Sequence, residues 1–328
     1  MTVHAHTNQD NLNSVDQNMG SSDNVQFNKI GAGVSPNEKL TVEGALSLDE
    51  QASAPSATSG YGKVYVKTDG VLYYLDDCGN EQQISEFAKN YVNGLKLNFV
   101  NASTFQVEAG ECRDFSDTLN IVLSSNINVD ITVSGAGGLD SGSEAASTWY
   151  AVFVIGDTNG VNSPTTLLSV NTTPSLPSGY DSFRRIGWVR NDSSSNFINM
   201  NQYALGGLRR YMYVDTDESN LRVLSAGTAT SFTTVDCSSF IPSTSTLADA
   251  FIEFDNNNTA GDNLAIRPNG TTCTGDGCRV NVQIGIGLTD FFRVREEIIT
   301  NSSQEIQYRL SSASDSANIS IFGFTDEI

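Results

Sequence analysis

Histidine is almost missing from this chain of 328 residues: there are two, His4 and His6, both within the first six positions. That leaves the body of the chain without the imidazole on which acid–base triads and zinc centres usually depend. Basic residues are also few, 18 Lys and Arg against 38 Asp and Glu, for a formal net charge of −20. Nucleic-acid binding needs a basic patch that releases counterions, and an anionic bilayer attracts the same chemistry, so neither partner is expected. The five cysteines, Cys78, Cys112, Cys237, Cys273 and Cys278, are too few and too irregular for a disulfide scaffold. Cys273 and Cys278 bracket a Thr-Gly-Asp-Gly turn, where a disulfide, apolar packing or a reduced thiol pair all fit. No window approaches 18 apolar residues and the first thirty positions hold no apolar run, so neither a membrane span nor a secretory signal is expected.

Uncharged polar residues dominate what remains. Hydrophobic residues make up 38% and charged residues 17%, so Ser, Thr, Asn, Gln and the 28 glycines carry the polar balance. With β-branched residues between frequent turns, this composition predicts an all-β protein rather than long helices.

Residues 1–30 are polar and cannot bury enough apolar area to order alone, which makes them either a disordered tail or an arm that orders against a partner. In GAGVSPNEKLTVEGALSL (31–48), Leu40, Val42, Leu46 and Leu48 alternate onto one face of an extended strand. A lone strand with one apolar face is not stable in water, so other copies of the chain are expected to cover it. This segment resembles the GIGT-SP-EKL-V-G pattern in the stems of trimeric bacteriophage tail fibres and spikes, with Ala32 and Val34 where that pattern has Ile and Thr.

A Ser/Ala/Pro/Gly linker follows, then two β-rich runs, Lys63–Lys67 and Val71–Leu75, joined by Thr68-Asp69-Gly70, whose Asp-Gly favours a tight hairpin turn. This unit also resembles a small module of phage structural proteins. From Gln83 to Lys96, Ile84, Phe87, Ala88, Tyr91, Val92 and Leu95 repeat at helical spacing and predict the chain's one helix. Its stripe, chiefly Ile84, Phe87, Tyr91 and Leu95, would pack on the next domain or around a three-fold axis.

Residues 97–207 and 208–328 read as two β-sandwich, jelly-roll-like domains. Trp149–Ile155 is the expected central strand, being apolar almost throughout. The series SGAGGLD…TWYAVFVI…LPSGY…RRIGWVR is similar to a domain of phage tail-fibre and receptor-binding proteins.

Chemistry is sparse. No nucleophile elbow, P-loop or dinucleotide fingerprint is present. Glycan cleavage would need two carboxylates held in a cleft; Asp76/Asp77, Asp215/Asp217/Glu218 and Glu296/Glu297 read instead as turns and strand ends. The loop from Asp215 begins like a calcium loop but has Asn220 and Ala226 where Gly and Glu are required. Asp255, Asn256 and Asp262 form another oxygen-rich stretch and read as a polar loop. Arg184/Arg185 and Arg209/Arg210 sit beside apolar strand residues and read as partners for buried or interfacial carboxylates. Tyr180, Trp188, Tyr203, Tyr211 and Tyr213 offer rings to sugars but default to core packing.

Together the motifs imply an all-β, elongated homotrimer: an N-terminal docking arm (1–30), a stem with hairpin module and one short helix (31–96), and the two sandwiches. The resemblance implies a structural component of a tailed-phage virion, assembled in the host cytoplasm. Residues 1–35 would meet other virion proteins, and the distal domains a host-surface glycan or protein. No enzyme activity, cofactor, metal or membrane insertion is expected. A capsid-bound head fibre, a glycan-cleaving spike and, more remotely, a cellular adhesin are the competing readings.

Overall fold

A computed structural model describes residues 30–32, 40–42, 45–84, 89–205, 207–215, 217–256, 262–273, 280–283 and 290–328. They are strands joined by turns; among them there is no α-helix, and the one helical element is a single 3-10 turn, Glu218–Leu221. The chain divides into two compact units, Met1–Glu86 and Phe87–Ile328.

In the first unit, Ile30–Ala32 and Leu40–Val42 pair in parallel. A four-stranded sheet follows in the order Glu50–Gln51, Lys63–Lys67, Leu72–Leu75, Glu81–Gln83. The expected hairpin is its centre, with Tyr65 opposite Tyr73 and Val64 opposite Tyr74. Gly70 takes a φ of 75° in the turn, and the Asp69 carboxylate accepts from Val71 N and Tyr73 Oη. The stem segment departs from expectation beyond its first part. The strand ends at Val42, and residues 45–49 form no strand, because an alternating pattern needs a ladder partner that this stretch does not find within one chain.

The second unit is built from antiparallel ladders. Three three-stranded sheets hold Asn120–Leu123, Gly110–Arg113 and Val92–Gly94; Ile127–Asp130, Thr104–Val107 and Leu97–Asn101; and Thr165–Ser169, Trp149–Gly156 and Ser182–Arg190. A six-stranded sheet runs Met200–Leu205, Leu208–Tyr213, Ser316–Glu327, Leu247–Asn256, Asp290–Ile299, with Arg222–Gly227 also on Ser316–Glu327. A four-stranded sheet holds Thr233–Asp236, Glu305–Leu310, Asn263–Pro268 and Val280–Gln283. The boundary placed at 207/208 falls in the hairpin where Leu205 pairs with Leu208, so one sheet runs across it. One core cluster likewise draws on both stretches, from Val92 and Phe105 through Ile252 to Phe324.

Trp149–Gly156 is the central strand its sequence suggests. One face, with Tyr150, Val152 and Val154, enters the main core; the other, with Ala151, Phe153 and Ile155, packs on Leu167 and Trp188 in a smaller cluster.

The helix expected over Gln83–Lys96 is not formed where that stretch is described. Gln83 ends a strand, Asn90 and Leu95 take φ of 57° and 55°, and Val92–Gly94 pairs with Gly110–Cys112. Left-handed backbone at Asn90, Gly94 and Leu95 is incompatible with a right-handed helix. The presumed stripe falls apart accordingly: Ile84 is exposed, Leu95 is fully buried in the second unit, Tyr91 donates its hydroxyl to Glu111, and Phe87 lies outside the described residues.

Tyr211 knits these ladders together. Its ring is buried and stacks on Phe324 at 4.3 Å between centroids. Its Oη accepts from Trp188 N at 3.0 Å and Gln202 Nε2 at 2.7 Å, and Gln202 Oε1 accepts from Leu97 N at 2.7 Å. Three strands thus meet at one hydroxyl, and a fourth joins them through Gln202. Tyr211→Phe leaves the Trp188 N–H and the Gln202 amide buried without that acceptor, and is expected to cost about 1–3 kcal/mol in urea unfolding. A stability within error of wild type contradicts the network.

Candidate functional site

The second unit has a cleft of about 350 Å³ whose walls include Trp149, Trp188, Arg190, Ile241 and Gln304. It arises from strand register. Trp149 lies opposite Arg190 and Ala151 opposite Trp188 on adjacent antiparallel strands, so period two puts both indoles and the guanidinium on one sheet face. These are the only two tryptophans of the chain.

The indoles are held, not loose. They meet edge to face at 6.4 Å and 86°. Trp149 Nε1 donates to Ser238 O at 3.0 Å, and Trp188 Nε1 to Thr244 Oγ1 at 2.9 Å. Thr244 in turn donates to Asp326, whose other oxygen pairs with Arg185. With both N–H groups engaged, Trp149 is the half-buried ring of the pair and Trp188 is 2% exposed. Arg190 sits 5.9 Å from the Trp149 centroid and 5.9 Å from that of Phe240. It is 9% exposed, and its Nε is buried without a hydrogen-bond partner. Burial pulls the guanidinium below its usual range, and Tyr213 and Asp192 push the other way. Ser147, Ser238, Ser239 and Ser243 add polar groups to the lining.

The arginines singled out by sequence are structural. Arg185 pairs with the buried Asp326 and donates to Glu327 O; Arg184 donates to Asn90; the fully buried Arg209 donates to Gly94 O at 2.8 Å. Arg210 pairs with Asp249 at 3.0 Å and Glu297 at 3.1 Å. Of the rings, Tyr211 and Tyr213 are core, Tyr203 is exposed, and Trp188 is both core and cleft wall. Arg190 escaped notice because an arginine ending an apolar strand looks like the others; its register partner Trp149 was the available signal.

The acidic groups hold turns. Asp76 accepts from Cys78 N, Asn80 N and Asn80 Nδ2, and Asp77 from Gly60 N. With Cys78 they form the one group among the described residues whose ligand atoms converge, within 4.8 Å, on an exposed turn. Asp217 caps the 3-10 turn through Ser219 N, Asp215 accepts from Asp217 N, and Glu218 pairs with Arg222. Asp262 accepts from Ser311 Oγ.

Of the stem residues, Leu40 and Val42 lie in the strand Leu40–Val42, while Leu46 is 63% and Leu48 37% exposed. One face of the four-stranded sheet is closed by polar contacts: Tyr65 Oη donates to Glu81, Lys67 pairs with Glu81 at 2.6 Å and lies over Tyr73. The other carries Val64, Val66, Leu72 and Tyr74, with Val64 54% and Tyr74 39% exposed. Residues 1–29 and 33–35 of the docking segment lie outside the described residues. Cys273 is disulfide-bonded, Cys78, Cys112 and Cys237 are free, and Cys278 lies outside the described residues.

No family model matches this chain, and no curated protein does. Two solved structures of infectious bursal disease virus align at 15% identity and a TM-score of 0.21. One, of the Gx strain, covers 83% of this chain and 67% of its own; the other, of the VP2 subviral particle, covers 81% and 65%. At that score the likeness carries no argument. No helix among the described residues is long and apolar enough to cross a membrane.

Asp249 gives the pH behaviour of the large sheet. Burial raises its carboxyl, but hydrogen bonds from Arg295 and Arg210 outweigh this and hold it below the usual range. A depressed folded value contributes stability above the unfolded value of about 3.9, lost as pH falls through the folded one. The urea midpoint should therefore fall between about pH 5 and pH 3, less steeply in Asp249→Asn. That variant should lose about 1–3 kcal/mol at neutral pH. Identical pH profiles for the two proteins count against the pairing.

Proposed function

We propose that this chain is a homotrimeric structural component of a tailed-phage virion, a tail fibre or related appendage. It is anchored through its N-terminal segment and attaches to the host surface by binding, without catalysis. The observation that carries the trimer is the uncovered apolar surface of the first unit. Val64 and Tyr74 stand open on one sheet face, and Leu46 and Leu48 are exposed nearby in sequence. Three-fold association removes such surface from water, at about 25 cal/mol per Å². The stem and sandwich motifs supply the virion reading, and the net charge of −20 suits a soluble particle surface. Three weak sites on one trimer, multiplied over several fibres, give stable attachment by avidity.

The test is the mass of the full-length chain by light scattering after gel filtration. Wild type is expected as three chains, and Val64→Asp/Tyr74→Asp as one, with its tryptophan emission unchanged. A wild-type monomer sinks the trimer. Immunogold labelling of intact particles then locates the chain; label on the capsid replaces the tail reading with a head fibre, and no label on any particle removes the virion reading.

A further inference from the structure

We infer that the cleft of Trp149, Trp188 and Arg190 binds a carboxylated saccharide, its carboxylate on the guanidinium and its sugar ring against an indole face. The inference stands on the second unit alone and needs neither the trimer nor the virion reading.

Arg190 forms no ion pair among the described residues. A buried guanidinium is costly unless paired. Most other arginines of the unit reach an acceptor: Asp249 serves Arg210 and Arg295, Glu253 serves Arg222 and Arg293, and Asp326 serves Arg185. Even Arg209 and Arg184, without carboxylates, bond to Gly94 O and Asn90. Arg190 has aromatic rings on two sides, its buried Nε has no hydrogen-bond partner, and among the described residues Asp192 acts on it electrostatically without forming an ion pair. Asp192, near it in sequence, accepts from Ser194 N and Asn196 N and acts on the guanidinium only through its field, and Glu144 accepts from Asn191 Nδ2. In a chain with 38 acids, the unpaired cation is placed where a ligand can supply the anion.

The walls add their own chemistry. A guanidinium matches a carboxylate with two parallel hydrogen bonds. The indole N–H groups are tied to Ser238 O and Thr244 Oγ1, and the half-buried Trp149 ring is the one whose π surface can meet the apolar face of a pyranose ring, backed by the buried Trp188. Ser239 and Ser243 line the same cleft and present hydroxyls for ring hydroxyls. Apart from the indoles the apolar lining is Ile241 and Val170, too little to hold an aliphatic ligand. The volume lies near the lower end of the usual 300–1,000 Å³ for ligand clefts, roughly.

The two tryptophans make the test direct, since all indole fluorescence of the chain comes from this cleft. Full-length protein is titrated with oligosaccharides of glucuronic and of galacturonic acid, with their methyl esters, and with sodium acetate. A saturable emission change is expected with at least one acid, weakened about tenfold or more by esterification, by Arg190→Gln and by Ser239→Glu, which adds a competing carboxylate. Ser239 is exposed, so Ser239→Glu should unfold at the wild-type temperature, which keeps the test valid if Arg190→Gln fails to fold. The Val64→Asp/Tyr74→Asp monomer should bind like wild type, separating this inference from the trimer. No saturable response to any acid overturns the proposal, as do equal responses to acid and ester, an unchanged affinity in the variants, or acetate binding as tightly as the sugars.

Discussion

The hydroxyl of Tyr211 lies inside an otherwise apolar interior, and a buried hydroxyl is tolerated only where its hydrogen bonds are made. That requirement fixes the Trp188 N–H and the Gln202 amide on either side of it, and through Gln202 the Leu97 N–H. Two glycines make the approach feasible. A Cβ at Gly187 would stand 2.3 Å from Tyr211 Oη, and one at Gly323 would stand 2.1 Å from Tyr211 O. Ser182–Arg190 is therefore clamped to Leu208–Tyr213, although no ladder joins those two strands. Once Trp188 N is fixed, strand periodicity fixes the Trp188 ring and Arg190 on the same face. The cleft inherits its geometry from a hydrogen bond behind it.

Charge is distributed by the same logic. On the large sheet the buried Asp249 takes Arg210 and Arg295, Glu253 takes Arg222 and Arg293, and Asp326 takes Arg185, so many of the few bases of an acidic chain are spent on internal pairing. An anion approaching Arg190 meets a repulsive net charge at long range and an unscreened guanidinium at short range. The Debye length is about 8 Å at physiological salt, so the repulsion fades beyond the cleft mouth while the short-range attraction among aromatic walls persists. Such a site discriminates by fit and not by steering, and its association is slow for a charged pair.

Much of this architecture is legible in the chain. All-β composition, the Asp-Gly hairpin at 69–70 and the buried strand Trp149–Gly156 follow from turn chemistry and apolar continuity, which are local properties. The 83–96 stretch misleads because its apolar spacing suits a helix while Asn90 and Gly94 suit left-handed backbone; pairing of Val92–Gly94 with Gly110–Cys112 decides between them, and that partner is distant in sequence. Ile84 and Leu95, placed on one stripe by spacing, end in different compact units. Arg190 was hidden for a related reason. Whether an arginine is paired depends on which carboxylates the fold brings near, and its spacing from Trp149 is 41 residues of sequence but one rung of a ladder.

The two units differ in what each leaves unsatisfied. In the first, polar groups are closed among themselves by Tyr65, Lys67, Tyr73 and Glu81, and the remainder is apolar surface at Val64, Tyr74, Leu46 and Leu48. Only another apolar surface relieves that, and identical copies supply it at no cost in specificity. In the second, a large core and a smaller cluster take up the buried apolar side chains, and the buried cation Arg190 is walled by aromatic rings without an ion pair. An anion in contact would relieve that, since Asp192 acts on the guanidinium without forming an ion pair with it. The proposed self-association and the proposed ligand capture would thus call on different chemistry, in different compact units of the chain. In a trimer of the proposed kind, a weak single-chain site would gain strength from copy number rather than from deeper burial of its ligand.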